Sequence, residues 1–151
     1  MLIIAIVLFI VPLFLCGLGF AAYLIFPPPP MDLLVVGVDA RPGEGMVTRT
    51  DSIMLIGVNP QRMQVSLLSI PRDLFIDVPV YGTERINTVN ALGEQEQAGY
   101  GVTLLSQAIG QNFGVGIDRY ARLDFNGFVA VIDAVGGVDI EVPGVIEDYA
   151  Y

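Results

Sequence analysis

The stretch SIMLIGVNPQRMQVSLLSIPRD, residues 52–73, decides the fold. Residues 52–58 are a continuous apolar run of the kind that forms a strand covered on both faces, and residues 63–70 form a second strand-like run. The four residues between them, NPQR, are a turn signal, so the two runs read as an antiparallel hairpin. The second run stops at Pro71, and the charged pair Arg72-Asp73 follows at once.

Working outward, DLLVVGV (residues 32–38) reads as another buried strand and LFIDVPV (74–80) as a short edge strand whose pairing Pro79 limits. In VTLLSQAIGQNFG (102–114), Leu104, Leu105, Ala108, Ile109 and Phe113 recur at helical spacing and Gly114 is a stop. YARLDF (120–125) alternates like a strand. NGFVAVIDAVGG (126–137) reads as a helix opening at an Asn cap and ending at a Gly pair, with VDIEV (138–142) as a strand after it. Mixed strands with interposed helices make a layered α/β or α+β domain.

The first 26 residues carry no Asp, Glu, Lys or Arg. As a helix they rise about 39 Å, more than the roughly 30 Å hydrocarbon core of a bilayer. A secretory signal has a shorter apolar region behind a basic start, and neither is present, so the expectation is an uncut membrane anchor. Leu15 precedes Cys16 where a lipoprotein signal needs a small residue, which leaves Cys16 an inert thiol. The expected organisation is an anchor over residues 1–26, a proline spacer over 27–31 and one domain over 32–151.

That domain holds every charge, and its net charge of -9 beside the helix fits the outer side of the membrane. All seven cations are arginine, whose planar fork suits bidentate contacts to phosphate or carboxylate. The absence of His removes Ser-His-Asp and Cys-His nucleophilic sites and His-containing zinc sites. The one Cys lies in the apolar helix, which removes extramembrane thiolate chemistry. Carboxylate, arginine, hydroxyl and a hard cation remain. A DNA-binding regulator needs a basic surface, and the acidic balance and the anchor weigh against one.

If the strand at 32–38 runs antiparallel to that at 52–58 and parallel to that at 63–70, one edge of the sheet gathers Asp39, Arg41, Arg49, Asp51, Arg72 and Asp73. Two readings of this rim stand side by side. It is a salt-bridge network, whose exposed pairs contribute about 0–1 kcal/mol each, or an anion site in which arginines hold phosphate oxygens and Asp39 and Asp51 ligate Mg²⁺.

The segments LLVVGVDARPGE, TRTDSIMLIGVNPQRMQVSLLSIPRDLFIDVP, ERIN and FNGFVAVIDAVGGVDIEVP closely resemble, in order and spacing, the LytR-CpsA-Psr family of membrane-anchored cell-envelope proteins. The resemblance implies a mixed β-sheet flanked by helices in an αβα layering. It also implies a phosphotransferase on the outer face of the bacterial cytoplasmic membrane, moving a phosphorylated glycan of the teichoic-acid or capsule kind from a polyprenyl-pyrophosphate carrier to a peptidoglycan hydroxyl, with Mg²⁺ or Mn²⁺ as cofactor and no nucleic-acid partner. Carried onto this chain, Asp39 and Asp51 are metal ligands, and Arg49 and Arg72 bind pyrophosphate together with Arg41, Arg85 and Asn87. Asp73 matches the aspartate after the family's Pro-Arg, and Asp51 or Asp73 accepts the proton of the acceptor hydroxyl while Arg72 stabilises the departing charge. Residues 126–137 would help wall a lipid pocket, or simply pack the core. The family also leads one to expect a further arginine-rich motif beyond Tyr151, so the alternative to an enzyme is a catalytically incomplete lipid-pyrophosphate binding or scaffold module.

Overall fold

The computed structural model describes residues 2–40, 45–141 and 144, with side chains in the first helix described from Leu8 to Tyr23 and at Ile25. That helix, α1 (Leu2–Ile25), precedes an extended proline run, and its described side chains are all exposed. Among the described residues no helix is long and apolar enough to cross a membrane. The part of α1 from Leu8 to Tyr23 rises only about 24 Å.

The chain then forms β1 (Met31–Val38), β2 (Thr50–Asn59), β3 (Gln64–Ile70), β4 (Phe75–Val78) and β5 (Gly82–Arg85). A 3-10 turn (Ile86–Thr88) leads into α2 (Val89–Glu96), followed by α3 (Gly101–Phe113), β6 (Arg119–Leu123) and α4 (Phe125–Ala134). The main sheet has the order β3-β2-β1-β6. β1 pairs antiparallel with β2 and parallel with β6, and β2 pairs antiparallel with β3, as the hairpin reading expects. The result is a mixed α/β fold with a mixed sheet flanked by helices.

Strand periodicity assigns the two faces. Leu34, Val36, Val38, Ile53 and Ile70 are buried on one face, where they join Val102, Leu104, Leu105, Ala108 and Ile109 of α3 in the main core. The opposite face carries Val35, Gly37, Ser52, Met54 and Ser69, with α4 at one end of it. The run in β1 is apolar without a break because both faces are used. At the end of α3, Gly114 has φ +69°, the left-handed conformation glycine adopts without strain, and its amide donates to Gly110 O at 3.0 Å.

Four sequence expectations are corrected. β4 is not an edge strand of the main sheet, because it pairs with β5 in a separate two-stranded hairpin. Pro71 starts a turn closed by Leu74 N to Pro71 O (3.1 Å), and Ile86 N to Leu74 O (2.8 Å) ties the hairpin's far end back. Helix α2 was not expected, since its sequence VNALGEQE has little helical periodicity and three polar residues at its end. The cap of α4 is Asp124, not Asn126: Asp124 is extended (ψ 179°) and its carboxylate accepts from Gly127 N at 2.7 Å, which places Asn126 inside the first turn. Residues 138–141 pair with no strand, and residue 142 lies outside the described residues. Alternation in VDIEV signals a half-exposed segment but not the partner a strand needs.

Candidate functional site

The end of β1, the start of β2 and the end of β3 lie on one edge of the sheet, since β1 and β3 both run antiparallel to β2. A register shift between Gly37 and Val38, opposite Asp51, turns the start of β2 outward. Thr50 is fully buried beside Val38, while Asp51 is exposed.

This edge holds a chain of charges. Arg72 Nη1 donates to Asp51 Oδ1 at 2.9 Å, Arg72 Nε lies 3.8 Å from Asp73 Oδ2, and Arg85 Nη1 lies 3.6 Å from Asp73 Oδ1. β5 brings Arg85 into the group by pairing it with Phe75, whose ring centre lies 5.4 Å beneath the guanidinium. The Arg72 and Arg85 side chains are each 56% exposed, so each pair contributes about 0–1 kcal/mol and readily gives way to a better anion. Arg49 is exposed on the strap before β2, and Asp39 is exposed just past β1. Arg41 lies outside the described residues. The formal charges of Asp39, Asp51 and Asp73 balance those of Arg49, Arg72 and Arg85, so these six residues of the rim are neutral together within a domain of net charge -9.

Asn87 lies beneath the rim rather than on it. It is buried, its amide donates to Arg72 O at 3.3 Å, and its carbonyl accepts from Thr50 Oγ1 at 3.5 Å. Its Oδ1 is buried without a hydrogen-bond partner among the described residues.

Directly behind the rim, on the sheet face opposite the core, is an open cavity of about 470 Å³. Asp39 and Asp51 stand at its polar end with Asp124, and Val35, Met54, Leu123, Phe125 and Phe128 supply apolar wall. Phe125 and Phe128 sit one turn apart on α4, a helix with no buried residue, so its apolar side faces open space rather than core. Asp39 and Asp51 thus share one cavity mouth. Among the described residues there is no group of three acidic or Cys side chains able to hold a metal. Two carboxylates leave most of a cation's coordination to water and phosphate oxygens, which suits Mg²⁺.

A buried polar group beneath the site had no counterpart in the sequence reading. Arg122 pairs with Glu94, and Nη1 of Arg122 also donates to Asn90 Oδ1 at 3.4 Å. Burial pushes the Glu94 carboxyl up, but the Gly99 amide (2.8 Å), the Arg122 guanidinium and the Gly101 amide outweigh it, so the group is held below its ordinary value. The signal available in YARLDF was an arginine at the inward phase of a strand, in register with Val36.

An exposed rim carrying arginine and aspartate therefore adjoins the mouth of an open, largely apolar cavity. The profile of the LytR_cpsA_psr family matches residues 28–150, and the chain belongs to that family. It is 36% identical over 110 residues to the polyisoprenyl-teichoic acid–peptidoglycan teichoic acid transferase TagU of Oceanobacillus iheyensis, covering 73% of this chain and 33% of the relative. Among solved structures it resembles TagT bound to LI-WTA (TM-score 0.65, 25% identity, 77% of this chain and 41% of the other), TagT being a Bacillus subtilis protein. It shares its fold with TagT holding octaprenyl pyrophosphate lipid (TM-score 0.63, 23% identity, 77% and 42%). The chain spans about a third of the length of the curated relatives it matches.

Proposed function

We propose that this domain binds a polyprenyl-pyrophosphate-linked glycan and transfers the phosphorylated glycan to a peptidoglycan hydroxyl. The observation that carries the reading is the contiguity of an exposed arginine rim with an apolar cavity. The transferase name of the TagU relative and the lipid and LI-WTA ligands of the TagT structures support the same substrate class.

In this reading Arg72 and Arg85 exchange their exposed carboxylate partners for pyrophosphate oxygens, which are better acceptors for a fixed fork, and Arg49 joins them from the strap. Phe125 and Phe128 shelter the start of the prenyl chain. Asp73 lies between Arg72 and Arg85, within reach of both. Its carboxylate is held only at 3.6–3.8 Å, so it keeps free lone pairs to accept the acceptor's proton, and we favour it over Asp51. Because the rim is neutral, a doubly charged pyrophosphate diester calls for a divalent cation, and Asp39 and Asp51 would hold Mg²⁺, or Mn²⁺ in its place. When bound, that ion supplies charge neutralisation for the departing phosphate.

We also propose that α1 is a single-pass anchor in the cytoplasmic membrane, with the domain on the extracytoplasmic face. Apolar side chains exposed along α1 support it. Extraction of the full chain only by detergent, with the domain cut by protease added to spheroplasts, is the expected behaviour. Release by alkaline carbonate sinks the anchor.

The transfer itself is tested by single-turnover reaction of a labelled lipid-linked glycan with peptidoglycan in Mg²⁺. Label appearing in peptidoglycan supports the enzyme. A second reading is a binding or scaffold module that does not turn over, for which the small set of carboxylates at the cavity mouth, Asp39 and Asp51 beside Asp124, suffices. Tight binding without transfer, where a longer relative succeeds, decides for that module.

A further inference from the structure

The strap of residues 45–49 carries Arg49 between β1 and β2, and it is fixed from below on both sides of that residue. On one side, Asn90 Nδ2 donates to Thr48 O at 2.8 Å and to Met46 O at 3.3 Å. On the other, Thr50 Oγ1 donates to Asn87 O at 3.5 Å. Asn90 is fully buried, so it cannot adjust by turning to water.

A buried carboxamide has two orientations that differ by exchange of a donor and an acceptor. The strap offers only carbonyl oxygens here, so it needs the nitrogen. Arg122 settles which orientation is present: a guanidinium only donates, so the Asn90 atom beside it is the acceptor Oδ1, and Nδ2 is turned to the strap. Arg122 is held by Glu94, whose second oxygen accepts from Gly99 N at 2.8 Å in the turn between α2 and α3. Buried ion pairs are often no more stabilising than apolar residues of similar volume, so their use is better sought in the geometry they specify.

We infer that the Arg122–Glu94 pair orients Asn90, and that Asn90 is a positioning residue that aims Arg49 at the anion on the rim. None of the three touches the rim itself. The inference rests on the pyrophosphate reading for what Arg49 binds, but not for how the strap is held.

The test uses the full chain in detergent, with geranylgeranyl pyrophosphate and Mg²⁺ as the probe. Two variants are compared, Asn90→Leu and the double variant Arg122→Leu/Glu94→Leu. The double variant replaces the ion pair by apolar volume and so guards against simple unfolding. Both are expected to speed amide hydrogen exchange at residues 47–49 by roughly tenfold or more while exchange in α3 is unchanged. Both are expected to weaken probe binding by about tenfold, and to weaken it no further in an Arg49→Ala background. That loss of effect is a readout a merely structural role does not give. Unchanged exchange at 47–49 in both variants overturns the inference, and so does a full additional loss of affinity in the Arg49→Ala background. If the unaltered chain fails to bind the probe, the pyrophosphate reading falls, and the exchange rates alone then uphold or overturn the strap's dependence on Asn90.

Discussion

Replacing Arg72 by alanine separates the two readings of the rim, because they give its side chain very different weights in folding and in binding. In folding, the side chain makes one hydrogen bond, to Asp51 at 2.9 Å, and one loose contact, to Asp73 at 3.8 Å. Arg72 and Asp51 are 56% and 48% exposed, so losing their pairing costs about 0–1 kcal/mol. For a domain of this size that is a melting shift of at most about 5 °C. The backbone bonds of the turn, Leu74 N to Pro71 O and Asn87 N to Arg72 O, do not involve the side chain and survive. In binding, each charge-assisted hydrogen bond to a phosphate oxygen carries about 1.5–3 kcal/mol, so loss of even one such bond weakens affinity by about tenfold to about 150-fold. Arg72→Lys keeps the charge and loses the fork, and is expected to fall between. The assay is calorimetric titration with a prenyl pyrophosphate in Mg²⁺, alongside a thermal melt of each variant. A melting point lowered by more than about 10 °C with unchanged affinity per folded molecule refutes the reasoning and makes Arg72 structural.

Gly101→Ala puts a Cβ 2.6 Å from Asn90 Oδ1 and 2.7 Å from Glu94 Cγ, so it should destabilise the domain by about 1–3 kcal/mol, seen as a lower urea midpoint. Glu94 binds fewer protons folded than unfolded just below its ordinary value near pH 4.3, so its contribution is complete above that pH and is lost as the pH falls through its lowered folded value. Urea melts of Glu94→Gln across pH 3–6 should therefore show less of this acid-side loss than the unaltered chain, and an identical pH dependence counts against the coupling. Phe128→Ser should reduce affinity for a long-chain prenyl pyrophosphate about tenfold and leave inorganic pyrophosphate untouched, with little change in melting because α4 has no buried residue.

What was legible in the sequence follows from how local each signal is. The β2–β3 hairpin announces itself through two apolar runs and a four-residue turn, and its geometry alone brings Asp51 to Arg72. The charged rim was legible for the same reason. The β4–β5 hairpin was not, because four-residue strands with charged and polar members carry too few alternations to read. Arg85 therefore reached the rim only through its place in a family motif, and the pairing with Phe75 that puts it there is a finding of the structure. Glu94 and Asn90 lie in a segment whose sequence signals no element. Their burial depends on α3 packing against α2 at Gly93 and Gly101, a contact no local pattern encodes.

The parallel pairing of β1 with β6 also has a consequence for the order in which the protein takes shape. β1, β2 and β3 are successive hairpin neighbours, so the charged edge is assembled from contacts near in sequence and can form while the chain is still emerging. Leu33 pairs with Arg119 across 86 residues, and Asp124, Phe125 and Phe128 arrive with that strand. Closing so long a loop is slow relative to a hairpin. For an interval the newly made protein carries the charged edge with no apolar shelter behind it, exposing Val35 and Met54 to whatever is near. A chaperone or lipid present at that moment would meet those two side chains first.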